Sequence, residues 1–402
     1  MPDRLLPPDA VLLHIGPYKT GSTAIQMALH RRRRALRRHD VIYPGSDYRQ
    51  RRPGWAVLDN TPRGRRPATI DEWQELVAEV TAAKNKRVCI STENFGVAGP
   101  QTADRIVSDL GRERVHVIAV ARRLDRLLPS QWQERVKTGR ETKSYSDWLH
   151  AVLDDERQDR SARAFWASHD LTGMLERWTA ATGDPSRFTL VVADEADRGL
   201  LPRTFEQLLG LPDGMLAPQP GVNSSLSHEK VELLRQVNRA FDEHGWDDHV
   251  HMEMVQHGIQ TALVHAPATA NDTKITAPPA WATERVRELS ANRVATIRAS
   301  EVNVVGDPEK LLVDAAAATD SADSPDVLPV VSATVAIEGA VQGALALMKE
   351  AEEQHVRELR RVHRSGNPPA RVALDVVSGP ELIGEASRRA ADAIGKLLSR
   401  LK

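Results

Sequence analysis

The chain has 402 residues, 41% of them hydrophobic, with 54 basic residues against 55 acidic ones and a single cysteine. That length holds two or three domains and a substantial core, and the balanced charge excludes a global bias towards nucleic acid or a membrane surface. The lone Cys89 excludes an internal disulfide and, set in an apolar run, reads as an inert core thiol of a reducing compartment.

The N-terminus carries no basic n-region leading into an apolar h-region, and no apolar run approaches the ~18 residues that span a bilayer. A cytoplasmic protein without stable membrane insertion is the expectation. Charge is nonetheless uneven: residues 1–66 carry fourteen Lys and Arg against five Asp.

Residues 11–15, Val-Leu-Leu-His-Ile, predict a short buried strand. Gly16, Pro17 and Gly21 follow, and Ser22-Thr23 open a helix-favouring stretch. A strand, tight loop and helix in this order point backbone N–H groups and the positive helix end at one spot, which suits an anion such as phosphate. A Walker A loop requires Gly, four residues, Gly, then Lys and Ser/Thr. Gly16 and Gly21 have that spacing, but Ser22 stands in the lysine position and the lysine lies inside the loop, at Lys19.

Residues 24–38 predict a helix with Ile25, Ala28, Leu29 and Leu36 inward and an arginine cluster outward. Residues 41–43 form a short extended piece. Residues 46–67, with six arginines, several Pro and Gly and little periodicity, read as a mobile loop, a candidate lid or acceptor-binding segment. Residues 71–84 predict a helix carrying Trp73, Leu76, Val77 and Val80, followed by a buried strand at 87–90 that ends in Ser91-Thr92-Glu93-Asn94. Polar residues at the carboxyl end of a buried strand occupy the ligand-binding edge of an α/β sheet, which singles out Glu93.

A helix over 101–110 returns to the most apolar strand, 115–120, which runs into Arg122, Arg123 and a helix containing Ser130. Residues 165–181 predict one helix, 187–194 a strand, 200–209 a helix, and 226–244 a further amphipathic helix on the sheet. This alternation predicts an α/β fold, a P-loop-like parallel sheet flanked by helices, over residues 9–264. Residues 281–316 read as a helix-plus-strand extension. Residues 329–402 read as a C-terminal helical extension, a hairpin of helices at 335–361 and 380–401 serving packing or homo-oligomer formation.

The segment Lys19-Thr20-Gly21-Ser22-Thr23 resembles the 5′-phosphosulfate loop of sulfotransferases that use 3′-phosphoadenosine-5′-phosphosulfate (PAPS). In that family an Arg at the end of a strand and a Ser eight residues later hold the 3′-phosphate; Arg122 plus eight is Ser130, with Arg123 the competing candidate at an offset of seven. Chemically, a guanidinium forks onto phosphate oxygens and a hydroxyl completes the cradle. A softer match is Gly221-Val222-Asn223-Ser224-Ser225-Leu226, similar to an Asn-x-Ser-Leu segment of bacterial members. The resemblance covers about residues 9–260. It lacks the late Arg-Lys-Gly segment of eukaryotic cytosolic members, which points to the bacterial or glycan-type branch.

The resemblance implies transfer of a sulfuryl group from PAPS to a hydroxyl of a carbohydrate or specialised metabolite, without a metal. It makes Lys19, Thr20, Gly21, Ser22, Thr23, Arg122 and Ser130 the donor site, with Lys19 also neutralising the transferring group. Family members use Glu or His as base: Glu93 resembles the glutamate of glycan-type enzymes, and His14 is the alternative. Two other readings stand beside this one. Residues 190–194, Leu-Val-Val-Ala-Asp, could serve a P-loop kinase as a Walker B strand, and the C-terminal helices could belong to a non-catalytic nucleotide-binding scaffold. The partners expected are a small-molecule or glycan acceptor, and no nucleic acid.

Overall fold

A computed structural model describes residues 5–62, 65–139, 141–154, 158–217, 226–268, 272–275, 278–314 and 330–364. The elements run β1 (Val11–His14), α1 (Ser22–Arg31), α2 (Arg33–Arg37), β2 (Val41–Ile42), α3 (Arg51–Leu58), α4 (Ile70–Ala82), β3 (Arg87–Ser91) and α5 (Pro100–Asp109). They continue as β4 (Val115–Ala121), α6 (Leu124–Lys137), α7 (Tyr145–Leu153), α8 (Arg160–His169), α9 (Leu171–Thr182), β5 (Phe188–Val192) and α10 (Leu200–Leu209). Last come α11 (His228–His244), α12 (Asp248–His251), a π-helical stretch (Met252–Gln260), α13 (Thr261–His265), α14 (Ala280–Ala299), β6 (Asn303–Val305) and α15 (Val330–Arg364).

These elements fall into two compact units. One, residues 1–132, 145–223 and 276–322, contains a six-stranded, all-parallel sheet in the order β2-β3-β1-β4-β5-β6. It is the α/β architecture that the alternating pattern predicts. Side chains of a strand alternate between faces. Val11, Leu13 and Ile15 accordingly join one core with Trp73, Ile106, Trp178 and Ile297 of α4, α5, α9 and α14. Leu12 joins the other with Ile25, Leu29, Phe205 and Leu209 of α1 and α10.

Strand β1 lies between β3 and β4, with Leu12 opposite Cys89 on one side and His116 on the other. The chain leaves β1 for β2 and β3 on one side, then crosses to β4, β5 and β6. The carboxyl ends of β1 and β4 therefore border the crevice in which open α/β sheets bind ligands.

Several expectations need correction. Residues 46–67 are not a featureless loop, because α3 occupies 51–58. Pro53 falls in its first turn, where a missing N–H breaks no helical bond. Arg52 forks onto Glu72 of α4 with contacts of 2.7 and 2.8 Å, and Val57 enters the core. The helix predicted over 165–181 is two helices, since Asp170 leaves helical geometry and caps the Gly173 N–H at 3.1 Å. Residues 24–38 likewise break at Arg32 (φ −102°).

Residues 281–316 are not an appendage to the sheet. Val294 and Ile297 of α14 are core residues, and β6 pairs with β5 through Val191 and Val305. The 226–244 helix, expected on the sheet, belongs to the second unit, which comprises residues 133–144, 224–275 and 323–402. There α15 packs along the π-helical stretch, with Gly339 and Gly343 set against the backbone at Gly258 and Met254. The second helix expected in the hairpin, 380–401, lies outside the described residues. Among the described residues no helix is long and apolar enough to cross a membrane.

Candidate functional site

The loop from Gly16 to Gly21 turns out of β1 into α1. Gly16 and Gly21 have φ of 89° and 97°, the left-handed region that glycine enters without a Cβ penalty. A Cβ on Gly16 would lie 3.0 Å from Cα and Cβ of Glu93, so glycine also permits the loop's approach to the end of β3. Lys19 adopts φ 65° despite its side chain. Thr20 donates its hydroxyl to the Pro17 carbonyl at 2.7 Å, closing the turn.

Helix α1 begins after Gly21 without a capping side chain. The Ser22 hydroxyl at its first turn is buried and has no partner among the described residues. Thr23 is exposed beside it. Uncapped N–H groups and an unsatisfied buried hydroxyl are the donors an anion would engage.

Glu93 lies two residues beyond the end of β3 and is 5% exposed. Gln26, one turn beyond Ser22 on α1, donates Nε2 to Glu93 Oε2 at 3.2 Å and to Ser91 Oγ at 3.2 Å. Arg49 brings Nη1 to 3.7 Å from the same carboxylate oxygen. Gln50 accepts the Ser91 N–H at 2.9 Å, so the segment leading into α3 is fastened to the end of β3. Tyr18 of the loop donates to the Asn94 side chain, and Thr92 Oγ1 and Asn94 Nδ2 have no partner among the described residues.

His14 is fully buried on the opposite side of β1 from Leu13. Its Nδ1 meets Ser91 Oγ at 2.7 Å and its ring packs edge-on against Phe205 at 5.3 Å. Burial pushes its imidazole down to about 3, because the cation loses its hydration there. Of the two expected base candidates, Glu93 borders the loop and His14 sits behind it as a neutral ring.

At the end of β4, Arg122 and Arg123 diverge. Arg123 forks onto Asp125 with both contacts at 3.0 Å, a pairing that raises its affinity for its proton. Arg122 turns to the loop: Nη1 donates to the Lys19 carbonyl at 2.9 Å, and Nη2 reaches Glu195 at 3.4 Å. Arg126 approaches the same glutamate at 3.6 Å. Ser130 lies in the second turn of α6, partly buried, with no hydrogen bond to Arg122. Residues 221–225 lie outside the described residues.

The structure thus gathers Lys19, Ser22, Glu93 and Arg122 around one loop. Sequence reasoning missed Gln26, Arg49 and Glu195. Gln26 carried a readable signal, being a polar residue four positions after Ser22 on the inward face of α1. Among the described residues no group of three or more His, Cys, Asp or Glu converges as metal ligands would. Compared with known proteins, the chain matches no family model, no curated protein and no solved structure.

Proposed function

We propose that the protein is a sulfotransferase that moves a sulfuryl group from PAPS to a hydroxyl of a carbohydrate or specialised metabolite. The observation that carries the reading is the Arg122–Lys19 contact: it joins, on one loop at the sheet's ligand-binding crevice, two anchors that the sequence separates by 103 positions. Lys19 within the loop, with Ser22 at the helix start, suits a phosphosulfate. Arg122 beside it suits the donor's 3′-phosphate.

In this reading the acceptor oxygen attacks sulfur in line with the bond to the 5′-phosphate. That S–O bond breaks, and its electron pair leaves with 3′,5′-adenosine bisphosphate. Glu93 takes the acceptor proton, while Lys19 and the first N–H groups of α1 meet the charge that grows on the phosphate. Gln26 and Arg49 hold the Glu93 carboxylate from two sides.

The kinase reading gains nothing from the geometry. Asp194 follows β5, which β4 separates from β1, and its carboxylate accepts from Ala196 N–H at 2.9 Å. Calorimetric titration with 3′,5′-adenosine bisphosphate and, separately, ATP with Mg²⁺ tests the proposal. Bisphosphate binding is expected; ATP binding without it would transfer the chain to the kinases, and binding of neither would leave a scaffold.

A further inference from the structure

Arg293 lies on the inward face of α14, in line with the buried Ser290, Val294 and Ile297. Its Nη1 donates to the backbone carbonyl of Arg122 at 2.9 Å, and its Nε has no partner among the described residues. Among the described residues no carboxylate pairs with it. Its titratable neighbour, His169, is a neutral buried ring with neither nitrogen hydrogen-bonded among the described residues. Buried charges are ordinarily paired, because an unpaired one opposes folding. Burial depresses the guanidinium to about 10, so it remains a cation at neutral pH.

Arg122 is gripped twice: its carbonyl by Arg293, and its side chain by the Lys19 carbonyl and Glu195. Beside it, Glu195 is shared by Arg122 and Arg126, and Asp125 by Arg123 at 3.0 Å and Arg126 at 3.8 Å, whereas Arg293 meets no carboxylate among the described residues.

We infer that Arg293 is a positioning residue of the donor site, fixing Arg122 through its carbonyl and supplying a buried positive charge whose counter-ion is the donor's 3′-phosphate. The inference rests on the sulfotransferase reading and adds a residue that the loop motif and the Arg-Ser spacing do not contain.

The test compares 3′,5′-adenosine bisphosphate with 5′-AMP, which lacks the 3′-phosphate, on the full chain. Arg293→Met is expected to weaken bisphosphate binding roughly tenfold, the scale of one charge acting at ~10 Å through an effective dielectric constant of about 20. Its affinity for AMP falls by clearly less than that for the bisphosphate, and the ligand-free protein melts no lower, since methionine fills the site without an unpaired charge. Arg293→Lys retains most of the affinity. Arg293→Gln, which keeps a donor for the Arg122 carbonyl without the charge, repeats the test if the methionine variant does not fold. Unchanged bisphosphate binding in the neutral variants, or equal weakening towards both nucleotides, overturns the inference while leaving the sulfotransferase reading intact. Failure of the wild type to bind bisphosphate overturns that reading instead.

Discussion

The Arg122 guanidinium at the end of β4 donates to the Lys19 backbone carbonyl at 2.9 Å. One side chain therefore contributes both to the left-handed turn at Lys19 and to the positive potential beside it. Arg122→Lys keeps the charge but loses the planar fork that reaches the carbonyl and Glu195 together. It should weaken binding of 3′,5′-adenosine bisphosphate by about 10- to 100-fold, the range of a lost charge-assisted hydrogen bond. Amide exchange over residues 16–21 should quicken as well. Calorimetry giving a value within twofold of wild type would show that the fork is not used.

Glu93 is held by Gln26 at 3.2 Å and by Arg49 at 3.7 Å, against a loop that approaches it only because residue 16 is glycine. Glu93→Gln preserves the size and most hydrogen bonds of the side chain and removes the carboxylate that the proposed reaction uses as its proton acceptor. Turnover with labelled PAPS and an acceptor should fall by ~10²- to 10⁴-fold, while bisphosphate affinity stays within a few-fold. Near-normal turnover would mean that another group takes the proton.

Much of this arrangement was legible in the chain. The displaced lysine, the polar end of β3 and the arginines after β4 each sit at a strand terminus, and strands with short apolar runs reveal themselves by composition. What stayed hidden depended on distant partners. Helix α3 was masked by Pro53 and Gly54, residues that signal loops, yet Arg52 finds Glu72 twenty positions later. Strand β6 has three residues, and its place follows from pairing with β5 rather than from local pattern. Arg293 gave no signal, because a charged residue on an otherwise amphipathic helix is ordinarily solvent-facing.

His169 is a second test of buried polarity. Burial lowers its imidazole from the ordinary 6.5 to about 3, so between these values the unfolded chain binds a proton that the folded one does not. Its stability contribution is then complete above pH ~6.5 and is lost as pH falls through that window. At pH 5 the loss amounts to ~2 kcal/mol for this one group. His14 and His116, lowered to about 3 and about 4, add in the same direction. His169→Leu, which also removes two buried nitrogens that find no partner among the described residues, should unfold at higher urea at pH 7 and lose less between pH 7 and pH 5 than the wild type. Parallel losses in the two proteins would show that His169 is not the proton acceptor.

In the second unit, Gly339 and Gly343 lie one turn apart on α15, facing the π-helical stretch. A Cβ on Gly339 would stand 2.7 Å from the Gly258 carbonyl oxygen and the Ile259 Cα, and one on Gly343 would stand 2.6 Å from the Met254 Cα. Two effects oppose each other on Gly→Ala. Helix propensity favours alanine by about 1 kcal/mol, whereas forcing two backbones apart costs about 1–3 kcal/mol. Because the obstructing atoms are backbone, the second effect wins. Gly339→Ala and Gly343→Ala should each lower the thermal midpoint, and the double variant should expose residues 252–260 to protease. A raised midpoint would show that the two helices do not cross at this distance.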